Sequence, residues 1–405
     1  HTAYRRQRQM CIRDRLYTYV LTASEYGIVD LVVTVGTVAI PILTLNISEA
    51  VMRFALDKDA DKEKITQIGT RILLIGMLVG LLMFPVCGFF NKISQYSAYI
   101  YFYVISLAAS QLYLCDLRGK ELLIYYAIGN VLNTFFIAVL NILFLLVLKE
   151  GIEGYLKAYI IANVLTAIYA IIAGKGYKSF YSLRIDKKLL LQMVKYSIVL
   201  IPNSFMWWIM NSSDRIMVSG MVSVAANGIY AVSYKLPTLV STLTTIFNQA
   251  WSYSAIREEG TEDECEYNNK VFKALIGMAM LIGIGLLTFA KPFLSIYVSK
   301  EYYAAWKYMP FLTVGCVYLT MASFMATSYT VHKDSFGYLF SGMFGAIFNV
   351  VMNFMLIPLI GVYGAAIATC ISYILVFVFR LFHTRKYIQS VSYTHLRAHE
   401  TEADL

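Results

Sequence analysis

The sequence predicts an all-α integral membrane protein built from two related six-helix halves, and three observations carry that prediction. Hydrophobic residues make up 59% of the 405-residue chain and charged residues only 15%, below the ~25% charged of an ordinary soluble domain. The charges lie between long apolar runs: Leu122 to Leu148 holds none, and neither does Ile72 to Phe90. Weak self-similarity recurs at a spacing near 200 residues.

The apolar runs give the elements in order. An uncharged stretch of about 18 or more apolar residues reads as a transmembrane helix. In lipid each backbone amide must be paired within its own segment, so such runs are helical. Spans fall near 27–47, 70–90, 97–115, 122–148, 156–173, 196–220, 227–250, 271–290, 308–330, 336–357 and 363–382, eleven in this chain. The short alternating strands of a membrane barrel are not seen. The joining segments reach only roughly twenty residues, so no soluble domain is inserted.

Three matches define the repeat. Tyr26-Gly27-Ile28 matches Asn227-Gly228-Ile229, Gly80 to Phe84 matches Gly285 to Phe289, and Gly151-Ile152-Glu153-Gly154 matches Gly361-Val362-Tyr363-Gly364. The offsets of 201, 205 and 210 keep their order and drift slowly, as changes in loop length would produce. Such an offset spans six helices, an even number, so the halves share one membrane orientation. That is a parallel repeat about an axis along the membrane normal, with a substrate path between the halves.

Basic loops set the topology. With the 48–66 loop in the cytoplasm, that side carries Arg53, Lys58, Lys62, Lys64, Arg118, Lys120 and a dense group from Lys175 to Lys188. The opposite side shows only Lys92, Lys149, Lys291, Lys300 and Lys307, a positive-inside bias. The net charge of +9 reflects this bias and the two ends and gives no reason to expect nucleic-acid binding. The 175–188 group reads as a solvated loop or as a contact with anionic lipid headgroups.

Both ends depart from the pattern. His1 to Arg15 holds five arginines and no apolar run where the repeat calls for a helix, and Ser392 to Leu405 turns abruptly polar. RQRQMCIRDR and SYTHLRAHET resemble translated sequencing-adaptor read-through, so 1–15 and 392–405 are set aside as non-native tails. The rest carries 28 basic and 21 acidic residues, or +7. It divides into an N-terminal lobe, 16–190, that lacks its first helix, and a C-terminal lobe, 191–391.

Four stretches resemble polysaccharide flippases of the multidrug/oligosaccharidyl-lipid/polysaccharide exporter superfamily. They are EYGIVDLVVTVGTVAIPILTLNISEAVMRF (25–54), IPNSFMWWIMNSSDRIMV (201–218), NGIYAVSYKLPTLVSTLTTIFNQAWSYSAIRE (227–258) and GVYGAAIATCISY (361–373). The resemblance runs from about residue 16 to 388. It implies twelve to fourteen helices in two lobes around a central cavity, the fold shared with multidrug MATE-type transporters. It also implies alternating-access movement of a polyprenyl-pyrophosphate-linked oligosaccharide across a bacterial cytoplasmic membrane.

Ionisable groups inside spans are functional candidates by default. Lys235 lies about nine residues into its span, roughly 14 Å deep at 1.5 Å per residue, with Pro237 two residues on. It could pair with a pyrophosphate in transit, or snorkel or neutralise an acid. Arg53 closes its span on the cytoplasmic side, where an arginine fork suits phosphate, though such arginines also serve as topology anchors. Asp214 and Arg215 point about 100° apart and need separate partners. Arg215 suits a headgroup and Asp214 a coupling Na+ or H+, with a structural ion pair as the alternative for each. Asp30 and Glu49 bracket the first span as further ion-coupling acids or as water-facing helix ends. Pro41, Pro202 and Pro237 interrupt spans as hinges or as packing kinks.

Trp207 and Trp208 could stack on sugar rings or pack against lipid, and Trp251 reads as an interface anchor. His332 and His383 have no nucleophile beside them, and the six cysteines show no CxxC spacing. With no GxxxxGK[ST] loop, ATP is not the expected direct energy source. The expectation is a transporter with no cofactor and no catalytic site, its partners being the lipid-linked oligosaccharide, membrane lipids and a coupling ion. Two rivals remain. A multidrug exporter would favour buried acids in a central cavity, whereas the mid-depth charge here is basic. A membrane polysaccharide polymerase or ligase would need a large extracytoplasmic loop.

Overall fold

The computed structural model describes residues 17–56, 60–82, 94–177, 186–258, 264–332 and 334–386, so both proposed tails lie outside the described residues. Local capping chemistry sets many of the helix starts. Helix α1 (Ala23–Leu43) opens with a capping box, in which Thr22 and Glu25 each accept the other's backbone N–H. It ends in a left-handed turn in which Leu45 and Asn46 have φ of 51° and 54°, and the chain restarts as α2 (Ile47–Ala55). There follow α3 (Lys62–Leu82), α4 (Ser97–Gly119), α5 (Leu123–Asn141) with a π-helical extension (Ile142–Val147), and α6 (Gly151–Ala173). Asp186 caps α7 (Lys187–Met221) by accepting the N–H groups of Lys188 and Leu189 at 3.0 and 3.1 Å.

The C-terminal half comprises α8 (Val224–Ser233), α9 (Pro237–Glu258), α10 (Glu264–Tyr297), α11 (Met309–Val331), α12 (Ser335–Ile360) and α13 (Val362–His383). Ser223 caps α8 and Asp334 caps α12. Pro237 takes the first position of α9, where its missing N–H costs nothing.

The chain divides into two compact units, one ending at Trp208 and the other beginning at Ile209, inside α7. Each unit uses the same packing. In the first, α6 packs on α4 and α5, and α2 packs on α4; in the second, α13 packs on α11 and α12, and α9 packs on α11. The repeated GxxG does the same work in both. Gly151 and Gly361 take φ of +59° and +61° before α6 and α13, a region that favours glycine. Three residues on, Gly154 and Gly364 let those helices press on the Phe144 and Leu356 backbones.

Ten helices among the described residues are long and apolar enough to cross a membrane. The predicted 227–250 span is interrupted by the turn at Tyr234–Leu236 into the short α8 and then α9. The predicted 27–47 span ends earlier, at Leu43, so Glu49 and Arg53 belong to α2. Helix α3 starts at Lys62 instead of residue 70 because Ile65 to Thr70 are all buried, including polar side chains that hydropathy counts against a span. Its other face, with Leu74, Ile75, Leu78 and Leu82 exposed, is an apolar stripe suited to lipid. Helix α7 starts nine residues before the predicted 196 because Asp186 caps it, so Lys187 and Lys188 form its first turn instead of a loop.

Candidate functional site

A buried polar cluster in the second unit is built around Asp214. This α7 residue is 1% exposed and lies about 10 Å from the helix end at Met221, at 1.5 Å per residue. Its carboxylate accepts hydrogen bonds from the Tyr230 hydroxyl at 2.6 Å, the Tyr234 hydroxyl at 3.1 Å and Thr369 Oγ1 at 3.3 Å. It also accepts the backbone N–H of Arg215 at 2.9 Å. Asn349 on α12 donates to Thr369 Oγ1 at 3.4 Å and accepts from Asn353 at 2.9 Å. Helices α7, α8, α12 and α13 and the Tyr234 turn therefore meet on one chain of oxygens and amides. Among the described residues no ammonium or guanidinium forms an ion pair with Asp214. A charge in a membrane interior costs several kcal/mol unless it is paired and hydrogen-bonded, and here the donors are neutral.

Within the second unit, two other predicted residues stand close to this carboxylate. The Arg215 guanidinium stands over the Tyr234 ring, 5.4 Å from its centre. Lys235 is half-buried in the turn next to Tyr234; its N–H donates to the Val232 carbonyl at 3.1 Å and its own carbonyl accepts from Thr238 Oγ1 at 2.8 Å. In the first unit, Asp30 is half-buried in the second turn of α1, and Glu49 and Arg53 are exposed in the first and last turns of α2. Pro41 and Pro202 lie inside α1 and α7. Trp251 is not an interface anchor: it is 5% exposed and stacks on Phe324 with ring centres 5.0 Å apart. Packing against α11 carries that aromatic inward, where hydropathy alone places it at the boundary.

The first unit holds two further features. Asp116, 1% exposed, accepts from Lys120 Nζ at 2.7 Å and from Thr66, while Lys120 also reaches the Gly174 carbonyl at 2.9 Å. Lys120, counted above as a topology signal, thus closes a buried ion pair that ties α3, α4 and the end of α6. Separately, a cavity of about 190 Å³ is lined by Pro41, Asn46, Gln111, Ser204, Phe205 and Trp208 among others. Trp208 Nε1 donates to the Thr34 carbonyl at 3.0 Å, and Phe205 stacks beside it at 6.1 Å and 16°.

Sequence reasoning missed several of these residues. Asn349 and Asn353, four apart in an otherwise apolar span, carried a usable signal, since polar residues at that spacing share a helix face. Arg380 carried a stronger one: it is an ionisable residue inside the predicted 363–382 span. It is 1% exposed and its partners are neutral, namely Ser341 Oγ at 3.0 Å, the Ala322 carbonyl at 2.9 Å and the Tyr338 ring. Tyr230, Tyr234 and Thr369 carried none, because only the fold brings their hydroxyls to Asp214.

A family model described as a polysaccharide biosynthesis protein matches residues 15–253, more than half of the chain. A search of curated protein sequences returns no match. Among solved structures, an inward-facing multidrug resistance MATE family transporter of the MOP superfamily aligns with a TM-score of 0.75 at 15% identity, covering 95% of this chain and 94% of that one. The lipid II flippase MurJ, in an inward closed conformation, aligns with a TM-score of 0.68 at 15% identity, covering 95% and 86%. A MATE structure in the straight conformation gives 0.63 at 15% identity, covering 96% of each. At these identities the likeness is one of fold.

Proposed function

Since the chain belongs to the polysaccharide biosynthesis protein family, we propose that it is an ion-coupled flippase. Its substrate is a polyprenyl-pyrophosphate-linked oligosaccharide, moved across the bacterial cytoplasmic membrane for surface polysaccharide assembly. The observation that carries the ion-coupled reading is Asp214, a buried carboxylate whose hydrogen-bond donors are three hydroxyls and one backbone N–H. A hard cation favours oxygen ligands, and the carboxylate, Thr369 and the Asn349–Asn353 pair supply them. A proton would instead sit on the carboxylate itself.

The same geometry supports a coupling of ion occupancy to the substrate side. Tyr234 bonds Asp214 and precedes Lys235 in the turn between α8 and α9. A cation at Asp214 competes for the Tyr234 hydroxyl and so acts on the turn that carries Lys235. Lys235, with Arg215 over the Tyr234 ring, supplies positive charge for the pyrophosphate, and Arg53 on α2 supplies it at the cytoplasmic side. Pro237, at the start of α9, lets the turn move without breaking a helix hydrogen bond. Pro41 and Pro202, inside their helices, are flexing points of the same kind.

The drug-exporter reading is weaker on the same ground. Asp214 is sealed by hydroxyls and 1% exposed, so a bulky cationic drug does not reach it. The test is translocation of the lipid-linked oligosaccharide by the full chain in proteoliposomes, with cationic-dye efflux run in parallel. Flipping that depends on a Na+ or H+ gradient, is lost in Asp214→Asn and is sharply reduced in Lys235→Gln is the expected result. Dye efflux without flipping refutes it.

A further inference from the structure

We propose that the cavity beside Trp208 is a recognition subsite for a single neutral sugar ring of the lipid-linked substrate; the proposal rests on the flippase reading above. Three properties of the cavity converge on that class of ligand. Every described residue that lines it is uncharged, so neither a pyrophosphate nor a cationic drug finds a compensating charge among them. Its volume of about 190 Å³ is below the roughly 300–1,000 Å³ of pockets that take drug-sized ligands, and suits one six-membered ring. Its wall combines a flat aromatic surface with amides and hydroxyls, which match the two faces of a sugar. The C–H face of a pyranose packs on an aromatic ring, and its hydroxyls need donors and acceptors in pairs.

The lining is organised for that task in advance. Trp208 is held by its hydrogen bond to the Thr34 carbonyl at 3.0 Å, with Phe205 stacked against it, so little ordering cost remains for a ligand to meet. Asn46 occupies a left-handed position in the turn after α1, with φ of 54°. Its amide nitrogen lies 3.4 Å from Ser204 Oγ, a long bond that a sugar hydroxyl can replace. Gln111 brings an exposed amide from α4. Pro41, inside α1, has no N–H to offer the carbonyl of Thr37, another lining residue. Trp207 does not line the cavity, so of the two adjacent tryptophans only Trp208 takes this role.

The experiment measures equilibrium binding to the full chain in nanodiscs with three probes: polyprenyl pyrophosphate alone, the same lipid bearing N-acetylglucosamine, and the same lipid bearing glucuronic acid. Wild type should bind the N-acetylglucosamine lipid about tenfold more tightly than the bare lipid, a factor equal to ~1.4 kcal/mol. The charged sugar should give no such gain. Trp208→Ala and Gln111→Ala should each remove most of the gain and leave bare-lipid affinity unchanged. Gln111 is exposed, so its variant folds even if the tryptophan variant does not. A gain that survives Gln111→Ala, or that is equal for the charged sugar, overturns the subsite while leaving the flippase reading in place. Failure of wild type to bind any of the three lipids overturns both.

Discussion

Asp116 and Asp214 are each 1% exposed, one in each unit, yet their surroundings make them different devices. Asp116 has a dedicated ammonium at 2.7 Å, and the same lysine is held by the Gly174 carbonyl. Its charge is cancelled and its lone pairs are engaged, so it works as a clamp at the ends of three helices. Asp214 receives three hydroxyls and one backbone N–H, which stabilise the carboxylate without neutralising it. In the ion-coupled reading proposed above, a mobile cation completes the second site, while Lys120 already occupies the first. Burial alone therefore does not distinguish the two carboxylates; the charge of their partners does.

The largest test of that contrast is Lys120→Met. Leaving Asp116 buried and uncompensated should cost about 3–5 kcal/mol, read as a lowered denaturation midpoint of the purified protein. Adding Asp116→Leu should recover most of the loss. A single variant as stable as wild type would show that the pair is not sealed.

Next in size is ligand linkage. If Na+ is the coupling ion, saturating it to a hundred times its Kd should stabilise wild type by ~2.7 kcal/mol over the same concentration of choline. The increment should vanish in Asp214→Asn and persist in Asp116→Asn. An increment that persists in Asp214→Asn places the ion elsewhere.

Removing one hydroxyl sharpens the comparison further. Tyr230→Phe should cost ~1.5–3 kcal/mol, the usual range for a hydrogen bond to a charged group. Tyr234→Phe and Thr369→Val, whose bonds are longer at 3.1 and 3.3 Å, should cost progressively less. The smallest effects belong to the repeated glycines. A Cβ on Gly364 would stand 2.4 Å from the Leu356 backbone, against 3.0 Å for the nearest atom to Gly154, the Glu150 Cβ. Gly364→Ala should therefore cost ~1–3 kcal/mol and Gly154→Ala less; equal melting temperatures would remove this distinction between the units.

Much of the fold was legible because the membrane imposes it. Spans such as Leu123–Asn141 and Ser335–Ile360 followed directly from uncharged runs. The GxxG repeat marks the starts of two corresponding helices, α6 and α13, and the structure gives both a glycine at positive φ. The turn inside the broken helix was less legible. The offset of 201 that relates Gly27 to Gly228 relates Thr34 to Lys235, yet Thr34 sits within continuous α1 while Lys235 sits in a turn. The first unit delays its turn to Thr44–Asn46, three residues past Pro41, whereas the second breaks directly before Pro237. Asp214 and Lys235 stood out as charges in apolar runs. The Arg380 side chain met the same criterion and was overlooked, and Trp251 was assigned to the wrong environment.

By itself, the sequence determined that this chain is a bundle of membrane-spanning helices in two repeated halves, and which charges are unusual. Those properties depend on local composition and period, which the bilayer reads segment by segment. Only the tertiary structure decided that Lys120 cancels Asp116, that Tyr230, Tyr234 and Thr369 gather on Asp214, and that Trp208 walls an uncharged cavity. Each of these joins side chains far apart in the chain, and the energy of a buried charge or a stacked ring depends on what stands against it in space.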